Sequence, residues 1–366
     1  MAAAATTLLL LGLVACGRTS SSPAGSVREL NIYSWSDFLA PDVLADFEKE
    51  SGIKVNLVAF PSQETLEATL LTGHTHYDVA VVAGDFLGRL VKAHVFRELD
   101  RAQLPNWGNL DVEVMARLAT EDAGNRYAVA YDWGATGIAY NVDKLRQLSP
   151  DAPPDSWRLI LDPSVVSRYA SCGISIVDSP NELVGVALIA NGKDPNTTNE
   201  ADVEAAARRL MAIRRYVRKI DSDMQIADLA SGDICLMVTW PTIFVQARRR
   251  NSEVGGHDQL RFVIPSEGAT SWLDAFAIPA DAPHPAEAHA FINYMMRADV
   301  AARGANYLGQ ASANSAALPL IQAPLRDDPS IYPPAADRKA LIPLHARPEA
   351  TNRTVTRIWT QFRTGH

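Results

Sequence analysis

Several features that mark common protein classes are absent from this 366-residue sequence. No stretch is dense in lysine and arginine, and the 42 acidic and 34 basic side chains give a formal net charge of −8. Because such a chain does not attract a phosphate backbone, we exclude nucleic acid as the main partner. The hydrophobic fraction of 47% is ordinary for a globular protein and excludes a disordered chain or a fibre.

Motifs for common catalytic and metal sites are also missing. There is no GxSxG nucleophile turn, no glycine-rich dinucleotide or phosphate loop and no HExxH motif. The eight histidines are scattered, and the spacing of His74 and His76 favours a strand or a turn over a zinc site. We therefore expect no metal, no cofactor and no catalytic step. A periplasmic enzyme that uses carboxylates as acid and base leaves no such motif and is the alternative.

Long apolar runs are confined to the first 15 residues, and no later run approaches the roughly 18 residues that a membrane span needs. This run ends in LVAC at 13–16, where small residues precede a cysteine as in a bacterial lipobox. We expect 1–15 to be a signal peptide, and 16–26 to comprise a lipidated Cys16 and a flexible tether. The alternative is an ordinary secretory signal, and either interpretation predicts an exported protein.

Cysteine is scarce, with three residues in the whole chain. If Cys16 is lipidated, Cys172 and Cys235 remain as an even pair. An even pair outside the cytosol is typical of a single disulfide. Two buried free thiols are the alternative at this point.

Alternating apolar segments make up much of the remaining chain. The patterns predict strands at 29–34, 53–58 and 77–82, with helices at 41–51 and 62–72 between them. Strands that alternate with helices of this length indicate βαβ units and a mostly parallel sheet. Further strands are predicted at 137–142 and 234–239, and further helices at 200–219 and 285–297. The chain length indicates roughly two domains.

Aromatic residues are only 7% of the chain, but several tryptophans stand close to acids where predicted strands end. Ligands bind at the carboxyl ends of strands in open α/β sheets. Indole faces attract ammonium groups, and carboxylates pair with charged ends. Each such residue alone is typical of a core or a helix cap, but together they predict a slot for an aliphatic amine. The residues concerned are Trp35, Ser36, Asp37, Asp178, Glu182, Trp240, Trp272 and Asp274.

Longer stretches resemble the periplasmic polyamine-binding proteins of bacterial ABC transporters, especially the putrescine-binding branch. The most specific are NIYSWSDFLAPDVLADFEKESGIKV, YDWGATGIAYNVDKL, SCGISIVDSPNE, LASGDICLMVTW and IPSEGATSWLDAFAIPADA. The resemblance covers roughly 28–366. It implies an α/β, two-lobed periplasmic solute-binding protein fold of type II, in which each lobe is a mixed sheet flanked by helices and the ligand lies in the interlobe cleft. It also implies that Cys172 and Cys235 are joined.

We expect one lobe to comprise 27–135 and 257–304, and the other to comprise 136–256 and 305–366. The ligand-binding residues carried over by the resemblance are Trp35, Ser36, Asp37, Glu182, Trp240, Trp272 and Asp274, and we expect the adjacent Phe38 to join them.

Three positions depart from the family pattern. Ala83 lies in a loop where the family carries serine, Ile243 stands where it carries a pocket aspartate, and Gln310 where it carries a pocket tyrosine. Because one carboxylate is lost, we expect Asp85 to replace it in part, and Asp85 and Gln310 complete the expected set. The expected ligand is thus an aliphatic amine in general rather than putrescine in particular.

The resemblance implies a substrate-binding component of an ABC importer, located in the periplasm and lipid-anchored if Cys16 is acylated. Such a protein captures a small polyamine, closes at its hinge and delivers the ligand to permease subunits in the inner membrane. A same-fold ligand sensor for a signalling receptor is a further alternative.

Overall fold

The structure, a computed structural model, describes residues 28–256 and 259–365. The expected signal peptide, Cys16 and the tether lie outside these ranges. Within the described ranges, none of the helices combines the length and the apolar character that crossing a membrane requires.

The described strands are short and are separated by helices along most of the chain. They are β1 (Arg28–Ser34), β2 (Ile53–Ala59), β3 (Val79–Ala83), β4 (Ala128–Ala135), β5 (Gly137–Asn141), β6 (Ile174–Ile176), β7 (Lys219–Ile220), β8 (Leu236–Thr239), β9 (Leu260–Val263), β10 (Ala269–Ala277), β11 (Ala311–Ser312) and β12 (Leu341–Pro343).

The helices cover the faces of the sheets. They are α1 (Pro41–Ser51), α2 (Gln63–Thr72), α3 (Gly84–Lys92), α4 (Val112–Leu118), α5 (Val142–Leu148), α6 (Arg158–Leu161), α7 (Pro163–Val166), α8 (Pro180–Ala190), α9 (Glu200–Ile213), α10 (Gln225–Ser231), α11 (Pro241–Glu253), α12 (Pro285–Met295), α13 (Ala298–Leu308), α14 (Ala323–Arg326) and α15 (Glu349–Thr364).

Two mixed sheets organise the molecule and define two lobes. The first is seven-stranded in the order β11-β4-β10-β3-β1-β2, with β12 also paired to β10. The second is five-stranded in the order β7-β6-β8-β5-β9. In the first sheet, β1 runs parallel to β2 and β3, whereas β10 runs antiparallel to β3 and β4. The predicted α/β fold with two mixed sheets is confirmed.

Strand pairing places the lobe boundaries elsewhere than the sequence ranges did. The segment 260–263 forms β9 and pairs with β5 in the second sheet, although 257–304 was expected in the first lobe. Conversely, β11 and β12 pair within the first sheet, although 305–366 was expected in the second lobe. The reason is that these are edge strands or strands of two to four residues, whose partners are set by distant contacts. We therefore take the first lobe as 28–135 and 269–343, and the second as 137–263 and 349–365.

The chain crosses between the described lobes through three adjacent segments. The Thr136 amide donates to the Thr270 carbonyl oxygen at 3.0 Å, which ties the first crossing to the second. The Leu344 amide donates to the Ser271 carbonyl oxygen at 3.2 Å, which ties the third to the second. Gly268 has a φ of +101°, a conformation open to glycine but strained for other residues. The crossings thus form one bonded hinge region.

Local sequence explains where several helices begin and end. Helix α1 starts at Pro41, which needs no amide partner there, and stops at Gly52, whose φ of +68° suits a left-handed cap. The predicted helix 200–219 is shorter than expected, because it ends at Ile213. The chain then forms a tight turn and joins the second sheet as β7, so that sheet pairing replaces helical hydrogen bonds there.

Cys172 and Cys235 form a disulfide with a Cα–Cα distance of 5.6 Å, as the resemblance implied. The bond lies at the start of the parallel strands β6 and β8, whose opposite ends lead to Glu182 and Trp240. It therefore ties together the two strands that supply the second lobe's side of the cleft.

Candidate functional site

The predicted site residues gather where strands of both lobes end. Trp35 follows β1, Asp85 lies in the first turn of α3, and Glu182 lies in the first turn of α8. Asn181 beside Glu182 donates from Nδ2 to Asp85 Oδ2 at 3.1 Å, a hydrogen bond from the second lobe to the first. The two lobes therefore meet at these residues and form an interlobe cleft.

Glu182 is the carboxylate that the second lobe contributes to this site, and three hydrogen-bond donors orient it. The Trp240 indole Nε1 donates to Oε2 at 2.8 Å, and the Ser179 hydroxyl donates to Oε1 at 2.9 Å. The hydroxyl of Thr136, in the first crossing, also donates to Oε2. Burial raises the pKa of Glu182, and these three hydrogen bonds oppose that rise. A carboxylate in the first turn of a helix is further favoured by the helix dipole.

Asp274 lies in β10, near the middle of the first sheet. It is 8% exposed, and its neighbours across the sheet are Ala83 of β3 and Asp132 of β4. Burial raises its pKa to about 7, with further contributions from the negative charges of Asp85 and Glu182. A hydrogen-bonding interaction with Trp35 acts in the opposite direction.

Asp85 is half-buried, and none of the described basic side chains forms an ion pair with it. Burial raises its pKa to about 6, the hydrogen bond from Asn181 lowers it, and the charge of Glu182 raises it. Arg89 follows on the same helix, but its guanidinium binds both oxygens of Glu67 at 2.9 Å each. Because its main partner is Glu67, Arg89 leaves the charge of Asp85 largely uncompensated.

Asp132 was missed by the sequence interpretation. It lies in β4, is 3% exposed, and neither of its carboxylate oxygens has a hydrogen-bond partner among the described residues. Burial and the charge of Asp274 raise its pKa well above the ordinary value. The signal that could have identified it is a single acid in the otherwise uncharged run AVAYDWGA, every residue of which is buried.

Two further predicted residues lie on the same sheet face. The indole of Trp272 covers Gly134, where an added Cβ would come within 2.4 Å of a ring atom. The side chain of Gln310 is buried, and its Oε1 has no partner among the described residues.

Other predicted residues are placed differently. Ser36 and Asp37 are exposed in the turn after β1, and Asp37 adopts a φ of +52°. Phe38 is buried and packs edge-on against Tyr131 with ring centroids 5.6 Å apart, within the apolar core of the first lobe. Asp178 accepts from the Trp359 indole at 2.9 Å and so belongs to the contact with α15.

The departures from the family pattern are visible in the same region. Ile243 is 5% exposed in α11 and offers no charge to the cleft. Ala83 is the last residue of β3 and pairs with Asp274. The carboxylates that stand here are instead Asp85, Asp132, Glu182 and Asp274.

The chemistry of this site is that of a cation acceptor. In the described ranges, none of the four carboxylates takes part in an ion pair. The same residues contain no group of three or more histidine, cysteine or acidic side chains arranged to hold a metal ion. Indole surfaces from Trp35, Trp240 and Trp272 stand beside the acids. Such a site suits an organic cation with an apolar chain.

Comparison with known proteins agrees with this fold and site. The family of bacterial extracellular solute-binding proteins matches residues 42–332, and the chain belongs to that family. It is 40% identical over 360 residues to a putrescine/agmatine-binding protein of Pseudomonas aeruginosa, covering 98% of each chain. It is 43% identical over 344 residues to a putrescine-binding periplasmic protein of Escherichia coli, covering 93% of each.

A solved structure of a spermidine/putrescine ABC transporter protein from Listeria monocytogenes is also similar. Its TM-score is 0.83 at 28% identity, and the match covers 93% of this chain and 100% of that one. The resemblance to this group that the sequence indicated is therefore confirmed, and so is the type II solute-binding fold.

Proposed function

We propose that this protein is the substrate-binding component of an ABC importer, and that it captures a linear aliphatic polyamine in the interlobe cleft. One observation carries the proposal. Four carboxylates and three tryptophans from both lobes meet, and no cation of residues 28–256 and 259–365 is paired to any of the acids. A ligand with two or more separated positive charges can pair with these carboxylates, and its apolar chain can pack against the indoles. The names of the similar proteins, which bind putrescine, agmatine or spermidine, point to the same class.

The arrangement of charges supports a ligand that bridges the lobes. Glu182 belongs to the second lobe, whereas Asp85, Asp132 and Asp274 belong to the first. A diamine with one ammonium at each side draws the lobes together and shifts the population to the closed form. Micromolar affinity corresponds to about 8 kcal/mol, which two charge-assisted pairs and indole contacts can supply.

Glu182 also links the ligand to the hinge. Its Oε2 accepts from Thr136, which lies in the first crossing and whose amide is bonded to the second. An ammonium bound at Glu182 therefore contacts a group that is held by the hinge itself. Closure of the lobes is the signal that permease subunits in the inner membrane would recognise.

The test of this function is a ligand screen on the purified mature protein. Thermal unfolding is measured with putrescine, cadaverine, spermidine, agmatine and several amino acids, and positive ligands are followed by calorimetry. We expect one or more di- or polyamines to raise the melting temperature and to bind with micromolar affinity or better. Binding of only neutral or anionic solutes would mean that Ile243 and Gln310 have changed the ligand class.

Two finer parts of the proposal have their own tests. We propose that binding is not followed by chemistry, so the amine should be recovered unchanged after prolonged incubation. Detection of a new product would instead support an enzyme that uses the cleft carboxylates.

We also propose that Cys16 is acylated and anchors the exported protein to the membrane that faces the periplasm. A fatty-acid analogue should label the wild-type protein and not Cys16→Ser. Equal labelling, or no labelling of either protein, would contradict the anchor.

A further inference from the structure

Asp132 occupies a defined position beside Asp274. In the sheet it stands directly opposite Asp274 of β10 and opposite Ser312 of β11. Side chains at opposed positions of antiparallel strands lie on the same face, with Cβ atoms about 4.5–5.5 Å apart. Two residues further along β4, Gly134 lies under the indole of Trp272, so this face of the sheet is the one that faces the site. The neighbouring Tyr131 packs against Phe276 on the other face.

No side chain of the described ranges binds the carboxyl group of Asp132. Both oxygens are buried and receive no hydrogen bond of normal geometry from the described residues, although the backbone amides of Asp132 and Asp274 are near enough to oppose the rise in its pKa. The negative charge of Asp132 contributes to the raised pKa of the nearby Tyr332. The Tyr332 hydroxyl accepts a hydrogen bond from the Ser312 amide at 2.9 Å. Leaving a buried carboxylate without a donor is costly to the folded state, and a second acid opposite adds repulsion. Because the Asp132 carboxylate destabilises the ligand-free protein in this way, we expect its partner to be a bound ligand.

A second unpartnered acceptor lies next to this pair. Gln310, directly before β11, is 5% exposed, and no donor from the part of the chain that the structure describes reaches its Oε1. Oxygen atoms of two side chains, Asp132 and Gln310, therefore lack side-chain donors among the described residues, and Asp274 lies opposite the first of them. An alkylammonium group carries three N–H donors and a positive charge, so it can donate hydrogen bonds to these oxygens and also compensate the negative charge of the acids.

We propose that Asp132 is a ligand-binding residue which, with Asp274, forms a two-carboxylate subsite for one positively charged end of the amine. The inference rests on the proposed function, and it assigns to Asp132 a role that the family resemblance did not give it. Asp274 then bridges between this subsite and Asp85, while Glu182 serves the other end of the ligand. The first lobe holds its end of the amine between two acids rather than beside one.

This role predicts opposite effects on stability and on binding, which a structural aspartate does not show. Replacing Asp132 with asparagine keeps the size of the side chain and removes the repulsion with Asp274. The ligand-free protein should therefore melt at a higher temperature. Affinity for the amine should fall about ten- to hundredfold, as expected when a charge-assisted contact is lost.

The experiment compares Asp132→Asn with the wild type and with Asp228→Asn. Asp228 is also buried, but Lys219 Nζ binds both its oxygens at 2.7 and 2.8 Å, in the second lobe. The control removes the same charge from a paired site, so it should lower the melting temperature and leave the dissociation constant unchanged. Calorimetry is performed with the tightest of putrescine, agmatine and spermidine, and melting is measured without ligand.

The outcomes separate this inference from the proposed function. If wild type binds an amine and Asp132→Asn binds it equally well, the inference is overturned and the proposed function stands. If wild type binds no amine, the proposed function itself fails. A lower melting temperature for Asp132→Asn, or failure of both Asp132→Asn and Asp132→Ser to fold, would make the carboxylate structural and overturn the inference.

Discussion

The two halves of the cleft hold their carboxylates in different ways. In the second lobe, Glu182 accepts hydrogen bonds from Trp240, Ser179 and Thr136. In the first lobe, Asp85 accepts one from Asn181, and Asp132 accepts none among the described residues. One half therefore presents a carboxylate that is already oriented, and the other presents negative charge that the protein itself does not compensate.

Local structure explains the difference. Glu182 stands in the first turn of α8, where the helix dipole and nearby hydroxyls favour an anion. Asp132 and Asp274 stand inside strands of the first sheet, where most backbone amides pair with neighbouring strands and few donors remain for side chains. The strand acids consequently have fewer donors from the protein than Glu182 has, with Trp35 acting on Asp274 and backbone amides on Asp132.

The strongest test of the comparison is Asp274→Asn. Removing the central acid of the first lobe should weaken amine binding by about 2–3 kcal/mol, or roughly 30–150-fold. The ligand-free variant should be more stable, because Asp85 and Asp132 lose a repulsive neighbour. Calorimetry and thermal unfolding check both parts. Wild-type affinity would show that Asp274 is structural and that the proposed pocket is wrong.

Raising the pH should lower the stability of the ligand-free protein and strengthen its binding of the amine. The pKa of Asp274 is raised to about 7 and that of Asp85 to about 6, whereas an unfolded chain has about 3.9. Between about pH 4 and pH 7, Asp85 and Asp274 therefore bind more protons in the folded state than in the unfolded state. The free energy of unfolding of the ligand-free protein should therefore fall as pH rises from about 4 to about 7.

Amine affinity should change in the other direction. The ligand stays charged because alkylammonium groups titrate near pH 10, while the carboxylates lose protons. Binding should thus strengthen up to about tenfold per pH unit for each proton displaced, and then level off once Asp85, Asp274 and Asp132 have lost their protons. Calorimetry from pH 5 to pH 8 measures this slope. A slope as steep in Asp274→Asn as in wild type would assign the proton to another group.

Glu182→Gln should have the opposite effect on stability to Asp274→Asn. An amide offers one oxygen, which can keep Trp240 and Thr136, while its NH2 group faces Ser179, whose hydroxyl must then accept instead of donate. The negative charge that strengthens these hydrogen bonds is lost. We expect the ligand-free protein to lose about 1–2 kcal/mol. Denaturant unfolding of the two variants under the same conditions provides the comparison. If both variants gain stability, hydrogen bonding does not distinguish the two halves.

The smallest expected effect is that of Trp240→Phe. Phenylalanine retains an aromatic face for the amine but removes the indole donor that binds Glu182 at 2.8 Å. Affinity should fall by about 0.5–1.5 kcal/mol, the usual net value of one hydrogen bond. The matched variant Trp240→Ala should lose more, about 1–2 kcal/mol for the aromatic contact as well. Equal losses in both variants would show that the indole face contributes little.

Sequence reasoning succeeded where local pattern decides the structure. The bounds of α1 were predicted because Pro41 and Gly52 mark its ends and Val43 and Phe47 supply its buried face. The family resemblance predicts Glu182 and Asp274 as ligand-binding carboxylates, and the structure places both where the two lobes meet; their contact with a ligand stays a prediction.

It failed where distant pairing decides. The crossings between lobes could not be placed, because β9 and β11 are too short to reveal their partners by composition. Asp132 was missed because an acid in one strand has no meaning until β10 brings Asp274 beside it. Phe38 was expected at the ligand, and the structure shows it buried against Tyr131, a contact with a residue far away in sequence that local pattern does not reveal.

The order of strands in the first sheet also has a consequence for folding. That sheet joins β1, which begins at Arg28, to β12, which ends at Pro343, whereas the second sheet lies within 137–263. Contacts between distant parts of a chain form slowly, because a long loop must close first. The second sheet can pair as soon as residue 263 is available. The first sheet joins β3 to β4 only when β10 at 269–277 is present, and it gains β11 and β12 later still, so its apolar strands stay exposed to aggregation for longer.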